Sequence, residues 1–236
     1  MSDRRVESTK ARRNFLTRLS VGVVALDATL AGRDAIAQTP APGGPGWQPA
    51  RHTQDEWLDQ IPGKHRFVFD STSASGLGNV LLYVNNTFLA NQSGYGLGNG
   101  DLAVVIVVRH NSTPFAYGDG VWSQYGAIMA EASAFEDPKT KKWAAANLFN
   151  AAGYGTALPN FGVTVDSLVK RGVHFAVCQM ATRRLAGLIA TAKASTADAI
   201  YNEIVGNLVG NAHMVPAGIV AVNRAQEHGY SFAVGT

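Results

Sequence analysis

Seven consecutive apolar residues, Leu102-Ala103-Val104-Val105-Ile106-Val107-Val108, leave no polar position for water to reach. A half-exposed strand alternates apolar and polar residues. An unbroken, β-branched run this short instead predicts a strand covered on both faces, as in a parallel sheet between helical layers. Other short runs of β character are Arg66–Asp70, Val173–Cys178, His213–Val215 and Tyr230–Val234. Between them lie helical spacings: Asn79–Ala90, Ser123–Ala134, Met180–Lys193 and Ala197–Leu208. Val165–Lys170 reads as a short helix capped at Thr164 and ended by Gly172, and a last helix starts at Pro216 and stops at Gly229. Strand followed by helix, about five times over, predicts an α/β domain of three layers with a mainly parallel sheet of about five strands. Sites in such folds gather at the C-terminal ends of strands, where Asp70, Arg109, His110, Cys178 and Pro216 fall.

The region before this domain has a different character. Ala11-Arg12-Arg13-Asn14-Phe15-Leu16-Thr17 resembles the core of a twin-arginine export signal. The apolar stretch Leu19–Ala31 behind it is too short to span a bilayer, and Ala35-Ile36-Ala37 supplies a small-x-small cleavage site. Residues 1–37 therefore read as a signal peptide of a bacterial protein exported folded to the periplasm, with no membrane attachment after cleavage. The segment from Gln38 to about Ala50 is rich in Pro and Gly and reads as a tether. His52–Gly63 follows as a short helix lying on the surface through Trp57 and Leu58, which puts the domain itself at 64–236. The leader also accounts for the basic balance. It holds 7 of the 20 Lys+Arg and 4 of the 17 Asp+Glu, leaving 13 of each sign in residues 38–236. A nucleic-acid partner is not expected of such a surface.

Cys178 is the only cysteine, so it can form no internal disulfide. It closes one apolar run and opens a helical segment. The first N–H groups of a helix are unpaired and carry partial positive charge, so a thiolate at that junction is stabilised. Arg183 and Arg184, one turn further on, can add to this. The competing reading is a small buried hydrophobe, since unpaired Cys is among the most buried residue types. His174 precedes Cys178 by four residues in a strand, which puts them on one face but about 13 Å apart, so direct activation is not expected. His110, at the end of the neighbouring apolar run, is the better candidate base if those two strands adjoin.

Other motifs carry less. Gly94-Tyr95-Gly96-Leu97-Gly98-Asn99-Gly100 precedes a strand, whereas a dinucleotide loop follows one. Ser71–Gly78 does follow a strand, but lacks the Lys-Ser/Thr of a phosphate loop and reads as a plain Ser/Thr/Gly loop. No cofactor motif is present, the histidines have no metal-ligand spacing, and no serine sits in Gly-x-Ser-x-Gly. Tyr117, Trp122 and Tyr125 form an aromatic group suited to core or subunit packing.

Three segments of the C-terminal third carry a family pattern: Gly172-Val173-His174-Phe175-Ala176-Val177-Cys178, Val215-Pro216-Ala217-Gly218-Ile219 and Ala225-Gln226-Glu227-His228-Gly229-Tyr230. In order and spacing they resemble the DsrE/DsrF family of sulfur-handling proteins, and Phe135–Phe149 resembles an insertion common in exported members. The resemblance runs from about Arg66 to the end. It implies a flavodoxin-like layered fold, assembly into homo- or hetero-oligomers, and a cysteine at position 178 that holds sulfur as a persulfide and relays it between a donor and an acceptor protein. On that reading the site comprises Cys178, His110 and Arg183. The alternative is a non-catalytic binding or assembly module in which Cys178 is buried and inert and the regions Phe115–Tyr125 and Phe135–Asn160 form its contact surface. A small-molecule redox enzyme ranks below both.

Overall fold

A computed structural model describes Gly46 and residues 48–236. The expected leader, its cleavage site and most of the tether lie outside the described residues. Strands β1 (His65–Ser71), β2 (Leu102–Val108), β3 (His174–Cys178), β4 (Ala212–Val215) and β5 (Ser231–Gly235) form one sheet in the order β4-β3-β2-β1-β5. Every neighbouring pair is parallel. The helices are α1 (Trp57–Gln60), α2 (Ala74–Tyr95), α3 (Asp119–Ala132), α4 (Val165–Val169), α5 (Gln179–Lys193), α6 (Ala197–Val205) and α7 (Gly218–Glu227). This is the expected three-layer, flavodoxin-like α/β fold.

The run that opened the argument behaves as its composition requires. All seven residues of β2 are buried. Val104, Ile106 and Val108 enter one core, and Ala103, Val105 and Val107 enter a second on the opposite face. Helices α2 to α6 supply the first core. The second is thinner: α7 packs there through Ala221, Val222 and Ala225, beside Leu58 and Ile61 from the segment before the sheet.

That segment, a strap over the second face, is more deeply seated than a surface helix. Leu58 is 2 % exposed, and its carbonyl accepts hydrogen bonds from the Tyr230 hydroxyl (2.7 Å) and from Arg66 Nη1 (2.7 Å). Burial pushes the Tyr230 phenol up to about 12, so it stays a donor. The domain therefore begins before residue 64.

Three other expectations need correction. Ser71–Gly78 is not a loop: Ser71 ends β1, Ser73 caps α2 by accepting from Gly76 N (3.0 Å), and the helix begins at Ala74. Glycines that look like breakers are close-approach positions instead. A Cβ on Gly76 would lie 2.7 Å from the Gly235 carbonyl oxygen, and one on Gly78 would lie 2.4 Å from Pro159. At its other end α2 runs to Tyr95, stopped by Gly96 in the left-handed region (φ 67°). Helix α6 ends at Val205 rather than Leu208, because the chain turns to bond the segment after β2: Gly118 N donates to Asn207 O (2.7 Å) and Val209 N to Ala116 O (2.9 Å). Pro216 does not start the last helix, which begins at Gly218 after Ala217 at the N-cap.

The aromatic stretch is core rather than contact surface. Phe115, Tyr117 and Trp122 are at most 1 % exposed, and Phe115 packs edge-on against Phe135 and Phe149. Trp122 Nε1 donates to Pro114 O (2.9 Å). The aromatic side chains of Phe115–Tyr125 are thus spent inside the domain, whereas Phe135–Asn160 keeps an exposed face that includes Lys139–Trp143.

Candidate functional site

Strands β3 and β4 lie side by side, but the chain leaves them in opposite directions. After β3 it enters α5, on the first face; after β4 it enters α7, on the second. Adjacent parallel strands whose helices diverge open a crevice at their C-terminal ends, the general location of ligand sites in open α/β sheets. Here it is a cleft of about 760 Å³. Cys178, Met180, Ala181 and Arg184 line it from the β3–α5 side, Ala217, Gly218 and Ile219 from the start of α7, and Thr72, Arg109, His110 and Asn111 from the ends of β1 and β2.

Cys178 is the last residue of β3, in register with Val215 of β4, and occupies the N-cap of α5. Its side chain accepts no capping hydrogen bond and is 6 % exposed within the cleft wall. The backbone beneath it is anchored. Thr182 Oγ1 donates to the Cys178 carbonyl (3.0 Å) and accepts from the Tyr117 hydroxyl (2.9 Å). Desolvation raises the buried Tyr117 phenol, which keeps it protonated and fixes the direction of this chain.

The strongest electrostatic feature of the cleft is an ion pair. Arg109 Nε donates to both Asp70 oxygens (2.9 and 3.1 Å) and Nη2 to Oδ2 (2.8 Å), a bidentate fork on a carboxylate whose side chain is 3 % exposed. Hydrogen bonding to Asp70 is the main cause that holds the guanidinium above its ordinary value, and the charge of Cys178 acts in the same direction. Gly218 makes room for this arginine: a Cβ there would stand 2.6 Å from Arg109 Cβ. The exit of β2 is pinned by Ser112, whose hydroxyl donates to Ser71 O (2.8 Å) while the Ser71 hydroxyl donates to Val107 O (3.0 Å).

The three residues expected to form the site separate here. Cys178 and His110 line the same cleft, because β2 and β3 adjoin. His110 is exposed and sits in the left-handed region (φ 53°), an unusual conformation for a residue with a Cβ. Arg183 stands apart. It lies over the Tyr201 ring (4.1 Å) and faces Asp198 on α6 (3.4 Å), while Arg184, one step round the helix, reaches the cleft. His174 is turned to other use: its Nδ1 is 2.9 Å from His213 Nε2, and the Trp57 indole stacks on His213 at 4.0 Å. Burial lowers both imidazoles, His213 to about 4 with help from its neighbour.

The clamped pair Asp70–Arg109 is the component missed from sequence as a unit. Both residues were placed at strand ends, and the signal was there: each is a charged residue closing an apolar strand, and the strands are sequential. Among the described residues, no group of three or more His, Cys, Asp or Glu side chains is arranged to hold a metal ion. Set against family models, curated proteins and solved structures, the chain matches none.

Proposed function

We propose that the protein is a sulfur carrier that accepts a sulfane sulfur on Cys178 and passes it on as a persulfide. The observation that carries this reading is the position of the chain's one thiol in the wall of a sizeable cleft at the β3–β4 switch point, beside Arg109, Arg184 and His110. The chemistry balances without an added oxidant. The thiolate attacks the outer sulfur of a persulfide R–S–SH, the Cys–S–SH bond forms, and R–S⁻ departs with the electron pair of the broken S–S bond. A second thiolate reverses the step and regenerates Cys178. In this reading His110, which lines the same cleft, takes the thiol proton before attack and returns one to the leaving thiolate. The resemblance to DsrE/DsrF proteins supports the same role, with export to the periplasm and assembly into oligomers as its context.

Intact-mass measurement after incubation with a persulfide donor tests it. The expected result is an adduct of about +32 Da, one sulfur atom, that Cys178→Ser abolishes. Absence of the adduct on the unsubstituted protein would sink the reading. The second reading, an inert thiol in a binding module, draws on the 6 % exposure of Cys178. Thiol titration of the native protein separates them: an inert cysteine reacts only after denaturation, a carrier reacts in the folded state.

A further inference from the structure

We infer that the cleft selects an anionic sulfur donor, one in which the sulfane sulfur is bonded directly to an oxyanion, as in thiosulfate. The inference rests on the carrier reading and adds its substrate class. No lining residue of the cleft is acidic, while two, Arg109 and Arg184, are arginines. Asp70 offsets the net charge of Arg109 but consumes only the Nε edge and one Nη2 contact of the fork. Guanidinium has five N–H donors, so the donors left over on Arg109 remain available to the cleft.

The construction is informative. Burying a carboxylate is costly unless it is paired, and a carboxylate spent on one guanidinium at the end of a central strand fixes that guanidinium in place. The start of α7 is drawn against the aliphatic part of the same side chain by a glycine that no larger residue can replace without a shift. A rigid planar fork matches the geometry of an oxyanion. Arg184 supplies a second cation from an exposed helix position, free to close on the bound group.

With such a donor the step is Cys–S⁻ plus S–SO₃²⁻ giving Cys–S–S⁻ plus SO₃²⁻. One S–S bond forms, one breaks, and sulfite leaves with the electron pair. Arg109 and Arg184 would hold the oxygens of the departing sulfite, which gathers charge as the bond breaks.

The test compares loading from thiosulfate, read as the mass adduct, with the rate at which the neutral reagent methyl methanethiosulfonate modifies Cys178. Arg184→Ala, on an exposed helix position, and the double variant Asp70→Asn/Arg109→Gln, which removes both partners of the buried pair together, are the variants. Thiosulfate is expected to load the protein, and each variant to slow that loading by about tenfold more than it slows the neutral reagent, the worth of a charge-assisted hydrogen bond to the anion beyond any change in the thiolate itself. Added sulfite is expected to compete with thiosulfate. If both variants slow loading from thiosulfate no more than they slow the neutral reagent, or if a persulfide donor loads Cys178 and thiosulfate does not, the inference falls while the carrier reading stands. If neither donor loads Cys178, both fall together.

Discussion

One strand, β3, carries both of the residues that its sequence makes conspicuous, and the two ends treat them in opposite ways. His174 and Cys178 point to the same side of the sheet. At the N-terminal end His174 meets His213, a group of its own kind, and burial keeps both uncharged under the Trp57 indole. At the C-terminal end the thiol meets a cleft walled by Arg109, whose guanidinium is forked on the buried Asp70 side chain behind it. A buried pair of like groups is stable only when neutral, and a buried pair of unlike groups only when charged. The first makes packing; the second makes a fixed field beside a thiol.

The contrast can be broken at either end. Asp70→Ala strands the Arg109 guanidinium and is expected to cost about 3 kcal/mol of unfolding free energy in urea denaturation. A loss near zero would mean that the pair does not set the charged end. At the neutral end, acid is the lever. Because the folded imidazoles have depressed values, the unfolded chain takes up protons near 6.5 while the folded His213 does so only at about 4. Stability is therefore complete above about pH 6.5 and lost as the pH falls toward 4, by about 2 kcal/mol after allowance for the half-buried rings. His213→Asn should flatten that part of the profile.

Smaller effects sharpen the boundary between the two ends. Gly218→Ala presses on Arg109 Cβ and is expected to cost about 1 kcal/mol, with slower sulfur loading as the guanidinium shifts. Smallest of all, Arg183→Ala should change stability by less than about 0.5 kcal/mol and leave loading of Cys178 unaltered, since its ion pair with Asp198 is exposed. A large fall in loading would return Arg183 to the site.

The layers, the parallel sheet and the position of Cys178 at a strand–helix junction were legible because they depend on local pattern: β2 is apolar throughout, and Cys178 follows an apolar run. The start of α2 was not, since Gly76 and Gly78 answer to Gly235 and Pro159, far along the chain. The choice between Arg183 and Arg184 was equally hidden. Adjacent residues on a helix point about 100° apart, and only the placement of α6 and α7 decides which one meets the cleft. The partner of His174 likewise required knowing that β4 lies next to β3.

The order of the sheet has a consequence for how the protein is made. Strand β1 is synthesised early, yet one of its two edges is completed by β5, where Phe67 meets Ser231 and Ser71 meets Gly235. A nascent chain lacking residues 231–235 holds β1 with that edge bare, open to pairing with other strands. Closure over so long a separation makes folding slow and late. The β1 edge of the sheet is closed only after residues 231–235 have been made.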